Sequence, residues 1–439
     1  MEAKIPFCKR LVWIILLLQG NVLCAQTVSP CDSLISFSIE NFHGLMNSLF
    51  GLSEGKLHHC FFSDYIKNND ITEISSIQKM LNPVDVMLEY CLTDTSMTLF
   101  IISKSVFSIY QQDVSPEFWK TIADFRRKIR LADIRGLAAL SHKLYLSLVA
   151  PAKEILRGKR HLIVIPGRDL LGIPFEALIV DENRCGKTPH FNNYHYLIQD
   201  YEIAYHFSAR LWRETGSRKT GRMDQEPRFK GIDFAGFSPG SYQNLSITPL
   251  PYARNELFSI AVLFKQKGLN ACLEFAQNSK EGVFKEVAGK SRIIHLATHS
   301  HFNHYNPELK GILFWDYEPD ADPRATDDGL LSFREAESLH LKADLIVLNS
   351  CASGTFYRQG YAAAGSFPLG FIKAGAKNIL STLWNVTDRL AKDIVLGFYR
   401  KWLSGKTFSE ALREVKLELI QSRETALPTI WASYILIGQ

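Results

Sequence analysis

The hydrophobic pattern becomes readable at Val84. Three runs, VDVMLEYCL from Val84, SMTLFIISK from Ser96 and SVFSIYQQD from Ser105, are rich in β-branched and aromatic residues and are separated by Thr-Asp and Lys-Ser. They predict a small antiparallel meander. The period then lengthens. EFWKTIADFRRKIRL and RGLAALSHKLYLSLVAPAKEILRG recur at helical spacing and predict two helices. From residue 160 onward the apolar runs are short and unbroken: RHLIVIP, DYEIAYHFSA, FKGIDFAGF, RIIHLATHS, ADLIVLNSC and AKNILSTLW. Such runs suit strands covered on both faces. Helical or loop segments separate them, among them the amphipathic YARNELFSIAVLFKQKG, which Gly268 ends. This alternation predicts an α/β sandwich of three layers around a mainly parallel sheet, with the meander and helices before it. Polar stretches at 181–198, 215–230 and 316–328 read as loops. Residues 26–80 are mixed, with short helices expected over 33–50 and 72–82 and no 34-residue repeat.

The first 25 residues follow another pattern. Lys4, Lys9 and Arg10 precede an eight-residue apolar run, Leu11–Leu18, and a small residue, Ala25, follows. A basic start, a short apolar run and a small residue read as a secretory signal peptide, cleaved near Ala25–Gln26. The run is short for a bilayer span, and an uncleaved membrane anchor is the alternative. Export places the protein outside the cytoplasm, secreted or periplasmic, with no stable membrane span after cleavage. The expected division is residues 1–25 as signal, 26–80 as a short helical region, and 81–439 as one α/β region with halves 81–240 and 241–439.

Composition adds little. A formal net charge of +5 over 439 residues, with no long basic block, gives no reason to expect nucleic-acid binding. The eight cysteines are scattered without a C-x-x-C pair, which excludes a zinc ribbon or a redox motif.

Candidate chemistry sits at two strand ends. SRIIHLATHS ends near His299, and KADLIVLNSC ends at Cys351. Open α/β sheets place their sites at the carboxyl ends of strands. The separation of 52 residues is room for one crossover between neighbouring parallel strands. A thiol with an adjacent imidazole is sufficient for acyl transfer: the imidazole takes the thiol proton and returns it to the leaving amine. Backbone N–H groups at Ser300 and Cys351 are candidate donors to the oxyanion. The bland alternatives are a small buried hydrophobe for the cysteine and a structural side chain for the histidine. His295, one step out of phase with an exposed tip, reads as core.

HLATHSHF followed by DDGLLSFREAESLHLKADLIVLNSCASG resembles the CHAT family of caspase-like peptidases. So do GAKNILSTLWNVTD, the closing PTIWASYILIG and, upstream, HLIVIPGRDLLGIPFEAL and PLPYARNEL. The resemblance runs over about residues 75–439 and implies a caspase-hemoglobinase fold with His299 as base and Cys351 as nucleophile, acting without a cofactor on a protein or peptide substrate in signalling or defence, under a regulatory protein partner. It also departs from the family. Ser300 stands where Gly is common, and Ala352 and Ser353 stand where an acidic residue and Thr are common. A fold that keeps its interactions and loses turnover is therefore the rival reading. Glu176 and Pro174 in GIPFEAL, and Trp431, are assigned to packing.

A third reading treats His299, His301 and His304 as a zinc site, since H-x-H-x-x-H after a buried strand is the spacing of metallo-β-lactamase-type hydrolases. Asn303 stands where that site needs an acidic residue, and the only later histidine is His340. No Walker sequence or G-x-G-x-x-G appears, and NSCASG lacks the G-x-S-x-G context of an α/β-hydrolase elbow. Asp388 in STLWNVTDRLAKD has two readings, an N-cap for the helix it begins and an acidic floor for the substrate's P1 pocket. The second implies Arg or Lys at P1, because a buried carboxylate gains charge-assisted hydrogen bonds from Arg and is stranded by an apolar side chain.

Overall fold

In the computed structural model, side chains are described for most of residues 74–181, 190–215, 229–243, 250–300, 311–321, 325–349 and 367–438. Near the amino terminus only the backbones of β1 (Trp13–Gln19), β2 (Val22–Gln26) and β3 (Leu34–Phe37) are described. Leu34–Phe37 is thus a strand where a helix over 33–50 was expected.

The meander follows helix α1 (Ile71–Met80) as β4 (Asp85–Leu92), β5 (Ser96–Ser103) and β6 (Val106–Asp113). Helices α2 (Pro116–Arg130) and α3 (Leu137–Leu148) come next. Ser115 caps α2 through the N–H of Phe118, with Pro116 and Glu117 in the first turn, where they suit free N–H groups and the helix dipole. The chain then alternates: β7 (His161–Ile165), β8 (Glu202–Tyr205), β9 (Ile232–Ser238), α4 (Ala253–Gln266), β10 (Ala271–Phe275), α5 (Glu281–Ala288) and β11 (Ser291–Leu296). A small three-stranded sheet, β12 (Ser300–His301), β13 (Gly311–Leu313) and β14 (Leu330–Ser332), follows β11 directly. The remainder is β15 (Leu345–Leu348), α6 (Phe367–Lys373), β16 (Asn378–Thr382), α7 (Asp388–Leu403), α8 (Phe408–Gln421) and β17 (Tyr434–Gly438).

Fourteen described strands form one sheet, in the order β10-β9-β11-β15-β16-β17-β8-β7-β4-β5-β6-β1-β2-β3. The meander does not stand apart from it, because β4 pairs with β7 in parallel from Asp85↔His161 to Glu89↔Ile165. The strands β9, β11, β15 and β16 are parallel to one another. β17 runs antiparallel to β16 and parallel to β8, so β17, β8, β7 and β4 point opposite to β16, and the meander alternates beyond them.

Alternation along each strand feeds two cores. Ile294, Leu296, Ile346 and Leu348 face one side, where α2, α3, α5 and α6 pack. Ile293, Leu345, Val347 and Leu436 face the other, against α4, α7 and α8. This is the mixed α/β arrangement expected, helices on both faces of a sheet. Gly167, just past β7, has φ +60°, and a Cβ there would lie 2.4 Å from the carbonyl oxygen of Tyr90. Only glycine fits that turn. No helix among the described residues is long and apolar enough to cross a membrane.

Candidate functional site

β11 and β15 are hydrogen-bonded parallel neighbours, in register from Ile293↔Leu345 to Leu296↔Leu348. The backbone N–H of Asn349 extends the ladder to the carbonyl of Leu296 at 3.0 Å. His299 and Cys351 each lie three residues beyond the Leu296↔Leu348 pair. His299 is described and half-buried. Cys351 lies outside the described residues, as do His304 and the side chain of His301. Among the described residues, no group of three or more His, Cys, Asp or Glu side chains is placed to hold a metal ion.

A relay of hydroxyls fixes the backbone at His299. Its N–H donates to Tyr242 Oη at 3.0 Å, Tyr242 Oη is 2.8 Å from Thr298 Oγ1, and Thr298 Oγ1 donates to the carbonyl of Leu313 at 2.6 Å. The carbonyl of His299 accepts from the N–H of Leu313 at 2.9 Å. Ser300 then pairs with Ile312. Since the flanking His299–Leu313 position carries the ladder bond, antiparallel alternation turns the Ser300 N–H away from β13. The rings of Tyr242 and His299 are 6.0 Å apart at 51°.

A cleft of about 430 Å³ opens at these strand ends, with Ala253, Thr298, Asn349, Thr382, Val386 and Asp388 among its walls. Asp388 is the first residue of α7, and Thr387 is the N-cap. The Asp388 carboxylate does not cap its own helix through that position; it accepts from the N–H of Tyr252 at 2.7 Å, at the start of α4. Burial raises its pKa above the ordinary aspartate value, as does the charge of Glu256, while the Tyr252 N–H and His299 pull it down. Asp388 and His299 therefore lie within electrostatic reach of each other.

At and beneath the floor lie polar groups to which the sequence assigned no chemical role. Asn349 donates through Nδ2 to both carboxylate oxygens of Glu256, at 2.8 and 2.9 Å. His295, expected in the core, is wholly buried there, yet it faces Glu256 and Tyr399 rather than apolar atoms alone. The signal was present. Glu256 falls on the stripe of Ala253, Leu257, Ile260 and Phe264, the only charged residue on the apolar face of α4. Glu176 proves to be one partner of a buried ion pair with Lys416 at 2.9 Å, and Trp431 is a core side chain, as expected.

Three comparisons bear on this geometry. Two curated relatives, both named tetratricopeptide repeat protein 28, from Mus musculus and Homo sapiens, are 31% and 30% identical over 125 residues. Those segments are 28% of this chain and 5% of the relatives, so the match covers about one-twentieth of their length. Among solved structures, separase from the Saccharomyces cerevisiae separase–securin complex aligns with a TM-score of 0.52 at 8% identity, over 86% of this chain and 31% of that one. The Arg-specific cysteine proteinase gingipain R aligns with a TM-score of 0.41 at 10% identity, over 74% of this chain and 75% of that one. The CHAT domain profile matches residues 138–439, more than half of the sequence, and the chain belongs to the CHAT domain family.

Proposed function

We propose that the protein is a cysteine endopeptidase with His299 as base and Cys351 as nucleophile. The observation that carries this reading is the parallel pairing of β11 with β15 beneath a cleft at their carboxyl ends. His299 takes the Cys351 proton, and the thiolate attacks the scissile carbonyl carbon. The oxyanion that forms accepts from the backbone N–H groups of Ser300 and Cys351. As the C–N bond breaks, imidazolium returns the proton to the leaving amine. Water, deprotonated by His299, then attacks the thioester carbonyl, releasing a carboxylic acid and regenerating the thiol. The reaction draws on no cofactor.

Asp388 forms an acidic wall of the P1 pocket and selects Arg or Lys. Its place in the cleft supports this role. The substrate is a protein or peptide. Securin accompanies separase in the solved complex, which supports a regulatory protein partner here too. Export with cleavage near Ala25–Gln26 rests on the amino-terminal pattern alone, and it would remove β1 and nearly all of β2 from the sheet.

The test is labelling by a peptidyl electrophile with Arg at P1, followed by peptide-library hydrolysis. Cys351→Ala and His299→Ala should each abolish turnover while the chain stays folded. Asp388→Asn should lower kcat/KM for basic P1 about 10- to 100-fold, the worth of a charged hydrogen bond, and change apolar P1 far less. An unlabelled Cys351 in the wild-type protein would leave an interaction domain without turnover. A wild-type preference for apolar P1 would reduce Asp388 to its bond with α4.

A further inference from the structure

The polar cluster under the cleft has no part in the chemistry above, and its cost demands a reason. Glu256 and His295 are fully buried. His295 Nε2 lies 2.8 Å from Glu256 Oε1 without the geometry of a good hydrogen bond. Tyr399 of α7 meets the other ring nitrogen at 3.3 Å, and Tyr434 of β17 donates to Asn349 Oδ1 at 2.7 Å. Both carboxylate oxygens of Glu256 take the Asn349 amide. A carboxylate away from water is expensive, and a buried ionic contact is poor grounds for stability. A leucine would serve the apolar face of α4 better. What the carboxylate adds is direction. It grips Asn349, two residues before Cys351, and His295, four residues before His299.

We infer that Glu256 is a positioning residue: it locks the β15 end to β11, so that nucleophile and base are held at working distance. The inference rests on the Cys351–His299 reading of the site. Glu256 acts through Asn349 and His295 and touches no substrate. Misplacement of a reacting group by about 1 Å costs on the order of 10²-fold in rate. An amide at position 256 would set its NH2 group against the NH2 of Asn349, forcing that displacement.

The experiment measures inactivation of the full chain by a peptidyl chloromethyl ketone, resolving kinact from KI, for wild type, Glu256→Gln and the swap Glu256→Gln/Asn349→Asp. The swap restores a donor facing an acceptor and leaves the Tyr434 hydroxyl an oxygen to bond. The single variant should lower kinact about 10²-fold with KI unchanged, and the swap should recover at least about tenfold of that loss. A merely structural residue would lower the melting midpoint and the labelled fraction while the labelled molecules kept wild-type kinact; that result overturns the inference, as does a loss that the swap fails to recover. If the single variant does not fold, the folded swap decides: wild-type kinact supports the role, and a depressed value overturns it. Wild-type protein that does not label at Cys351 fails in a different arm, removing the dyad and the positioning role together.

Discussion

The halves of the sheet on either side of β17 each bury a carboxylate, and they satisfy it differently. In the amino-terminal half Glu176 meets the amine of Lys416 of α8 and the hydroxyl of Tyr205. In the other half Glu256 meets a neutral amide and an imidazole. The first arrangement joins the halves. Along the same helix Arg413 donates to the carbonyls of Ile198 and Gln199 at 2.8 and 2.7 Å, and Ser409 donates to Glu202 at 2.9 Å. Strand pairing across that seam is slight, with Ile437↔Tyr205 the one register pair between β17 and β8. Beside it lies a cavity of about 330 Å³ walled by Tyr205, Leu383, Ile435 and Ile437. α8 straps what the sheet only touches. The second arrangement spans nothing so wide; it fixes two adjacent strand ends. Identical side chains thus do different work, according to what lies above them.

Removing the lysine separates the two roles most forcefully. Lys416→Met strands a buried carboxylate, and the loss should be about 3–5 kcal/mol, read as a large fall in the denaturant midpoint. Labelling of Cys351 per folded molecule should be kept, the reverse of Glu256→Gln. Equal damage to both readouts would mean that the halves are not separable.

Glu89, in the middle of β4, is another buried carboxylate, with Oε2 unpartnered. Burial pushes its pKa from 4.5 up to about 8, with a smaller push from Cys91. An acid whose folded pKa is raised holds its proton longer in the native state. Its contribution is therefore present at low pH and lost as pH climbs from about 4.5 through about 8. Glu89→Gln should raise stability by about 1–3 kcal/mol at pH 9 and change little at pH 5, measured by thermal melts across pH. No gain at pH 9 would indicate that water reaches the carboxylate.

The smallest effect is expected at the strand starts of the same half, where Asp85, His161 and Glu202 share one row of the sheet. The hydrogen bond to Asp85, and then that to Glu202, raises the His161 pKa to about 10. A base raised in the folded state stabilises fully below its unfolded pKa and loses that contribution as pH rises from about 6.5 toward 10. The ring is 42% exposed, so solvent screening limits the gain to about 0.5–1 kcal/mol. His161→Gln should flatten the melting profile over that window, and an unchanged slope would remove the ring from the account.

Much of this was legible in sequence, for local reasons. Leu345–Leu348 is apolar on every residue and Ile293–Leu296 on all but His295 because both faces are covered, and such runs announce buried strands. The α4 stripe announced its face, and with it the anomaly of Glu256. What could not be read was long-range. Nothing within RHLIVIP or YILIG encodes strand sense, so the reversal at β17 was hidden, as was the joining of β4 to β7. The bond from Tyr252 to Asp388 spans 136 residues and depends on how two helices meet. Ion pairing of Glu176 with Lys416, 240 residues away, was likewise beyond any local pattern.

β17 is the last of the described strands in chain order, yet it lies between β16 and β8. During synthesis, then, both of its neighbours leave the ribosome before the strand that joins them. Until β17 arrives, β16 presents an open hydrogen-bonding edge beside the cleft, and Asn349 lacks the Tyr434 hydroxyl. A nascent chain would carry both His299 and Cys351 well before the framework that aligns them. Synthesis order alone would thus keep the proposed dyad unassembled until the chain is nearly finished.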